Sequence, residues 1–330
     1  MKQNENNSSA VKNIKTPLVI VNPKSAGGST QLRWARMASD LAKHFGAFEV
    51  SFTLRAGHAV ELANDAAQNG RAFIVACGGD GTINEIANGI LQSGQDAELG
   101  ILPSGTGGDF RRTLNVSNAP SEAAKQLRDG ITKTIDVGKV TFFNSSDTQI
   151  SRYFLNVSSF GLSAAINERV KAENAPQLAW LPGDTFRGKA KFALSTLQEV
   201  FGSESSTVKV SIDGAGEKLL NTINFCVANA RFFGGGMKIA PDARIDDGFF
   251  DVVNIGDIRR AKILLNAFKL YDGSHLNLSE VRHKRARRIE VRAANANEKI
   301  YIETDGELPG RLPAIYEIVP QALKVRVPKN

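Results

Sequence analysis

The chain has 330 residues, 42% hydrophobic and 23% charged, with 41 Lys and Arg against 34 Asp and Glu. That balance excludes large-scale disorder, and the length exceeds what one hydrophobic core usually organises, so two domains are expected. The surplus of +7 favours anionic partners in general (nucleotides, nucleic acid or acidic lipid headgroups), while two cysteines, Cys77 and Cys226, inside apolar runs argue for buried reduced thiols, and four scattered histidines exclude a zinc-ligand spacing.

Residues 1–16 read as a disordered polar leader without the apolar segment of a signal peptide. No later run approaches the roughly 18 apolar residues of a spanning helix, so a cytoplasmic protein that touches membranes only from outside is expected. From Leu18 strand and helix alternate. "LVIVN" is a short buried strand, and "TQLRWARMASDLAKHF" puts Trp34, Ala38, Leu41 and Phe45 on one helical stripe. "FEVSFTL" alternates with period two, "HAVELANDAAQ" returns to helical spacing, "AFIVA" is a buried strand, and a helix is predicted to begin at Thr82. "LGILP" and a helix near "APSEAAKQLRDG" complete an α/β domain with a mainly parallel sheet. After "TIDVGKV" the pattern changes to strands with fewer helices: "RYFLNVSSFG", "VKVSID", "TINFCVAN", "FFDVVNI", "RRIEVRA" and "KIYIET". A second, antiparallel β-rich domain is expected from about residue 139, interrupted by the helical stretches "TFRGKAKFALSTLQEVF" and "DIRRAKILLNAFKLY".

Three loops of the first domain share a design: "VNPKSAGG", "CGGDGT" and "PSGTGGDF". Each follows a predicted strand, which in a parallel sheet gathers all three at the carboxyl ends, where open α/β folds bind ligands. Glycine permits positive φ and close backbone approach, and a helix start supplies unpaired N–H groups, an environment suited to phosphate. Thr82 and Thr106 add hydroxyls, and Asn22 either fixes the first loop or contacts a nucleotide. Neither a P-loop nor a G-x-G-x-x-G fingerprint is present. Asp80 therefore either holds Mg²⁺, directly or through water, or fixes the turn through nearby amides.

"GGDGTINEIANGI" followed by "LGILPSGTGGDF" resembles the catalytic domain shared by diacylglycerol kinases, sphingosine kinases and the soluble bacterial lipid kinases, and "NVSSFGLSAAI", "FCVANARFFGGGMKIAPDARIDDGFFDVV" and "IETDGE" continue the likeness. The resemblance implies an N-terminal doubly wound α/β nucleotide-binding domain over 17–138, a C-terminal β-sandwich-like lipid domain over 139–314, and 315–330 returning to the first. It implies ATP and Mg²⁺ as cofactors, with the active cleft between the domains. By position the family's nucleotide contacts fall on Asn22, Pro23, Lys24, Ser25 and Ala26, on Thr53, on Gly79, Asp80, Gly81, Thr82, Ile83, Asn84 and Glu85, and on Thr106. The family's third loop commonly reads Gly-Thr-x-Asn-Asp-Phe, and here Gly108 replaces that asparagine.

The resemblance puts the proton acceptor of phosphoryl transfer on Asp305, with Glu307 orienting it or helping to hold the catalytic Mg²⁺. By itself Asp-Gly between strand-like runs is also a hairpin-turn signal. "DARIDDG" reads either as ordinary turn residues or, from the resemblance, as a structural Mg²⁺ site formed by Asp247 and the carbonyls of Arg244 and Phe249. "VRHKRARRIEVR" is either a solvated face or a peripheral docking site for anionic headgroups. The expected reaction is transfer of the γ-phosphate of ATP to a lipid hydroxyl, with diacylglycerol first and a sphingoid base or phosphatidylglycerol as alternatives. An NAD kinase and a catalytically silent lipid-binding protein are the rival readings, and oligomeric state is open, a homodimer included. Nucleic acid is not an expected partner, since no aromatic-basic platform is present.

Overall fold

The computed structural model describes residues 16–171 and 205–329. The leader up to residue 15 and the helix expected over 185–201 lie outside the described residues. The first lobe is built on β1 (Leu18–Val21), β2 (Glu49–Phe52), β3 (Phe73–Gly78) and β4 (Glu98–Pro103), all parallel in the order β2-β1-β3-β4. The continuous apolar runs of β1 and β3 are buried throughout, as strands covered on both faces require. The chief helices are α1 (Ser29–Phe45), α2 (His58–Gln68), α3 (Asp80–Ser93) and, after the short α4 (Asp109–Thr113), α5 (Pro120–Asp129).

Small residues let α2 and α3 approach closely. A Cβ on Gly89 would stand 2.4 Å from the Val60 carbonyl oxygen, and Ala59, Ala63 and Ala67 line the buried side of α2. Helix α3 starts two residues earlier than its sequence pattern indicates: Gly79 is extended and its carbonyl accepts from Ile83 N–H, so Asp80 already lies in the first turn.

Strand β5 (Ile131–Phe143) runs without a break past residue 139 into the second lobe. There β6 (Gln149–Phe154), β7 (Val157–Gly161), β8 (Ser206–Ile212), β9 (Lys218–Thr222), β10 (Asn224–Ala228), β11 (Phe250–Ile255), β12 (Val281–Ala286), β13 (Arg288–Ala293), β14 (Tyr301–Thr304) and β15 (Glu307–Val327) form antiparallel layers. One face runs β12-β11-β10-β7-β14-β15, and the other places β15 between β5 and β13. Between them lies an apolar filling that includes Phe142, Phe154, Phe160, Phe225, Phe250 and Tyr316, with Phe160 and Phe225 stacked at 5.0 Å. Each such ring contributes roughly 1.5–3 kcal/mol by leaving water.

β15 ties the lobes together. It begins against β14, shifts register between Arg311 and Ile315 and again between Val319 and Leu323, and ends parallel to β4, with Lys324 opposite Glu98. After β7 comes α6 (Leu162–Lys171). The helix expected as one piece over 257–271 is two short ones, α7 (Arg260–Asn266) and α8 (Lys269–Asp272), separated at Ala267 and Phe268.

Candidate active site

The register of the parallel strands brings the three glycine loops side by side. Val21 stands opposite Cys77 and Gly78 opposite Pro103. The ladder continues one residue into each loop, with Asn22 N–H donating to the Cys77 carbonyl and Ser104 N–H to the Gly78 carbonyl, both at 2.9 Å. Asn22 then fixes the first loop and joins it to the second: its Oδ1 accepts from Lys24 N–H and its Nδ2 donates to Thr82 Oγ1 at 3.0 Å. In the turn that follows, Ala26 and Gly27 both carry positive φ, so their amides turn as they do in anion-binding nests. Thr53, just after β2, is buried with its N–H on the Val21 carbonyl, and Thr106 is exposed in the third loop. The second and third loops touch backbone to backbone: a Cβ on Gly105 would lie 2.4 Å from Gly79 Cα. Above Gly81, by contrast, nothing lies within 4 Å of where a Cβ would stand. The first turn of α3 is thus open at Gly81, where the amides of a helix start favour anions.

Asp80 spans the second and third loops. Its Oδ2 accepts from Gly108 N–H at 2.7 Å and Asp109 N–H at 3.1 Å, and its Oδ1 from Phe110 N–H at 3.1 Å. The carboxylate thus satisfies the orphan amides at the start of α4. In this arrangement the carboxylate fixes the third loop, with one of its three accepted bonds on Oδ1 and two on Oδ2. Gly108 is left-handed at φ 70°, a conformation that Gly and Asn adopt more readily than other residues.

Asp109 and Asn84 carry the contact to the second lobe. Asp109 accepts from Arg112 Nη1 at 2.9 Å and, from the second lobe, from Gly235 N–H at 2.8 Å. Burial, and secondly the neighbouring charge of Asp80, push its carboxyl up to about 6. Asn84 donates to the Tyr153 carbonyl at 3.1 Å and to Asp305 Oδ2 at 2.8 Å. One turn later Asn88 grips Tyr153 at both its N–H and its carbonyl, and Arg152 reaches Asn84 Oδ1 at 3.3 Å.

Asp305 and Gly306 both have positive φ and make the two-residue turn between β14 and β15. The turn aims the Asp305 carboxylate into the junction, where it also accepts from the backbone N–H groups of Leu155, Asn156 and Val157 at 2.7, 2.9 and 3.1 Å. Burial raises its proton affinity, bringing the pKa to about 6 against the pull of those three amides. Beneath the turn lies buried Glu303, which accepts from Ser159 Oγ at 2.6 Å and from Gly306 N–H. Glu307 opens β15, exposed and opposite Thr304.

Glu85 serves the fold of the first lobe, since its oxygens accept from Gly57 N–H at 3.0 Å and Ala59 N–H at 3.2 Å and so cap α2. Ile83 packs in the core of the first lobe. Asp247 accepts from Phe249 N–H and pairs with Arg285 at 2.5 Å, while Arg244 lies 3.5 Å from Asp246. No cluster of three or more metal-ligating side chains occurs among the described residues. Much of the basic run over 281–292 is also paired, Arg285 with Asp247, Arg288 with Glu290 and Glu317, and Arg292 with Glu217.

Residues 16–140 match the family model "Diacylglycerol kinase catalytic domain", and residues 156–327 match "YegS C-terminal NAD kinase beta sandwich-like domain". The chain is 27% identical over 321 residues to a diacylglycerol kinase of Bacillus subtilis, covering 96% of this chain and 98% of that one. A diacylglycerol kinase of Mycobacterium tuberculosis is 28% identical, with 94% of each chain covered. A solved structure from Bacillus anthracis, described as a candidate diacylglycerol kinase, superimposes with a TM-score of 0.74 at 26% identity and 97% coverage of both chains. The two family models between them span both lobes, and the chain is a lipid kinase belonging to the diacylglycerol kinase family.

Proposed function

We propose that the protein transfers the γ-phosphate of ATP to the free hydroxyl of diacylglycerol, yielding phosphatidic acid and ADP. The supporting observation is the Asn84–Asp305 contact, which joins the helix of the glycine cradle to the turn that carries the carboxylate. In this reading residues 17–138, with 315–330, form the nucleotide lobe and 139–314 the lipid lobe. The triphosphate lies over Gly79, Gly81 and the Asn22–Ala26 turn. Mg²⁺ bound with the nucleotide would neutralise charge on its phosphates, and Glu307, at the start of β15, is the carboxylate that would help to hold it.

Asp305 accepts the proton of the lipid hydroxyl as its oxygen attacks phosphorus. Three of its four donors are backbone amides fixed by the fold, whereas the fourth, the side-chain amide of Asn84, is the one an incoming hydroxyl displaces. A pKa near 6 suits a base that is ionised at neutral pH and still takes up a proton. The test is incubation with γ-labelled ATP, Mg²⁺ and a total lipid extract, followed by identification of the labelled product. Labelled phosphatidic acid is expected. A labelled sphingoid base or phosphatidylglycerol would move the specificity, and no labelled lipid would end the reading.

A further inference from the structure

Three large apolar side chains on α7, α8 and the link between them face solvent: Leu265 is 73% exposed, Phe268 63% and Tyr271 58%. Their spacing of three residues puts them on one face of the helical stretch. Arg259 and Arg260, at its start, are exposed and form no ion pair among the described residues, whereas the neighbouring Lys262 is engaged by Glu280. The ridge is tied to the segment that meets the third glycine loop. Lys238 N–H donates to the Leu270 carbonyl, and the preceding loop holds Gly235, whose N–H meets Asp109 of the third glycine loop.

We propose that this ridge docks the enzyme on an anionic bilayer: Leu265, Phe268 and Tyr271 enter the boundary between headgroups and acyl chains, and Arg259 and Arg260 meet lipid phosphates. Exposed apolar residues in a row, flanked by uncompensated cations, are the pattern of an interfacial helix. The occupant follows from the reaction, because the inference rests on the reading that the acceptor is a lipid held in a membrane. The longer basic run over 281–292 serves this less well, since most of its guanidinium groups are already paired within the fold.

The experiment is flotation of the full-length protein with vesicles of phosphatidylcholine, alone or in equal parts with phosphatidylglycerol. The double variant Leu265→Ser/Phe268→Ser is expected to lose vesicle association about tenfold or more, and Arg259→Glu/Arg260→Glu to lose the preference for phosphatidylglycerol. Both should phosphorylate a short-chain diacylglycerol dispersed as monomers at the wild-type rate and melt at the wild-type temperature. A dye on Phe268→Cys should report an apolar surrounding when vesicles are added. Labelling is selective, because burial pushes the Cys77 thiol up to about 12 and raises that of Cys226 as well. Unchanged flotation of both double variants, a silent dye, or equal loss of activity on the monomeric substrate overturns the proposal. So does a wild-type dimer that Leu265→Ser/Phe268→Ser dissolves while vesicle binding persists. Ridge-dependent flotation without phosphorylation of any lipid upholds the docking surface and sinks the proposed reaction instead.

Discussion

Asn84 Nδ2 stands 2.8 Å from Asp305 Oδ2, so a helix that starts at the glycine cradle and a hairpin turn 221 residues further on meet at one carboxylate. The same amide donates to the Tyr153 carbonyl, and Asn88 continues the grip one turn along. The position of the carboxylate is therefore set by a side chain of the opposite lobe as well as by its own turn.

This geometry predicts the pH profile. Burial raises the Asp305 carboxyl to about 6, so below that pH the acid form prevails and cannot take the hydroxyl proton. kcat/KM should climb as pH rises through about 6 and level off above it. The stability contribution runs the other way: a carboxyl raised above its unfolded value of ~3.9 stabilises fully below that value and loses the contribution as pH rises through the folded pKa. Asp305→Asn should remove turnover with folding intact. Asn84→Asp places a second negative charge against Asp305 and should move the acid limb to higher pH. An unmoved limb would show that another group titrates, with Asp109, also near 6, as the first alternative.

Asp80 offers a test of structural against metal chemistry. Three amides of the third loop converge on it, so Asp80→Ala should leave them unpaired and cost about 1–3 kcal/mol of stability, with a higher KM for ATP. Chemical denaturation measures the first effect and steady-state kinetics the second. A variant of wild-type stability that needs far more Mg²⁺ for half-maximal rate would assign Asp80 to the metal.

The parallel strands, the three glycine loops and the Asp-Gly turn are legible in the sequence because each has a local cause: a buried apolar run, a need for positive φ, a two-residue hairpin. What stays hidden there depends on pairs remote along the chain. Nothing near Asp80 tells that its carboxylate will cap the start of α4, and nothing near Glu85 that it will cap α2. Asn88 carries no signal of its own, and Asp109 and Glu303, although they lie inside quoted motifs, show no role there, since each acquires meaning only when its partner elsewhere in the fold is known. The break of the 257–271 helix into two is equally hidden, because apolar spacing continues through Phe268.

Two glycines separate packing from binding. Gly105→Ala would drive a Cβ to 2.4 Å from Gly79 Cα, a backbone contact that cannot yield cheaply, and should cost about 1–3 kcal/mol. Gly81→Ala meets open space in the first turn of a helix, where alanine is favoured by up to about 1 kcal/mol. The ligand-free Gly81→Ala protein should melt at or above the wild-type temperature while its KM for ATP rises. If its KM is unchanged, the triphosphate does not lie over that turn.

Gly108 tests the one departure from the family's third loop. At φ 70° asparagine is tolerated far better than alanine or a β-branched residue, so Gly108→Asn should stay within about 1 kcal/mol of wild type and Gly108→Val should lose more. A Cβ there comes within 3.0 Å of Arg111 Nε, a buried donor with no hydrogen-bond partner. An asparagine amide oxygen close to that group could accept from it, and Gly108→Asn would then gain stability where Gly108→Ala loses it. Melting temperatures of the three variants decide the order. If asparagine proves as costly as valine, the loop follows a different path from its relatives, and the cradle of amides closed by Asp80 would have to be redrawn.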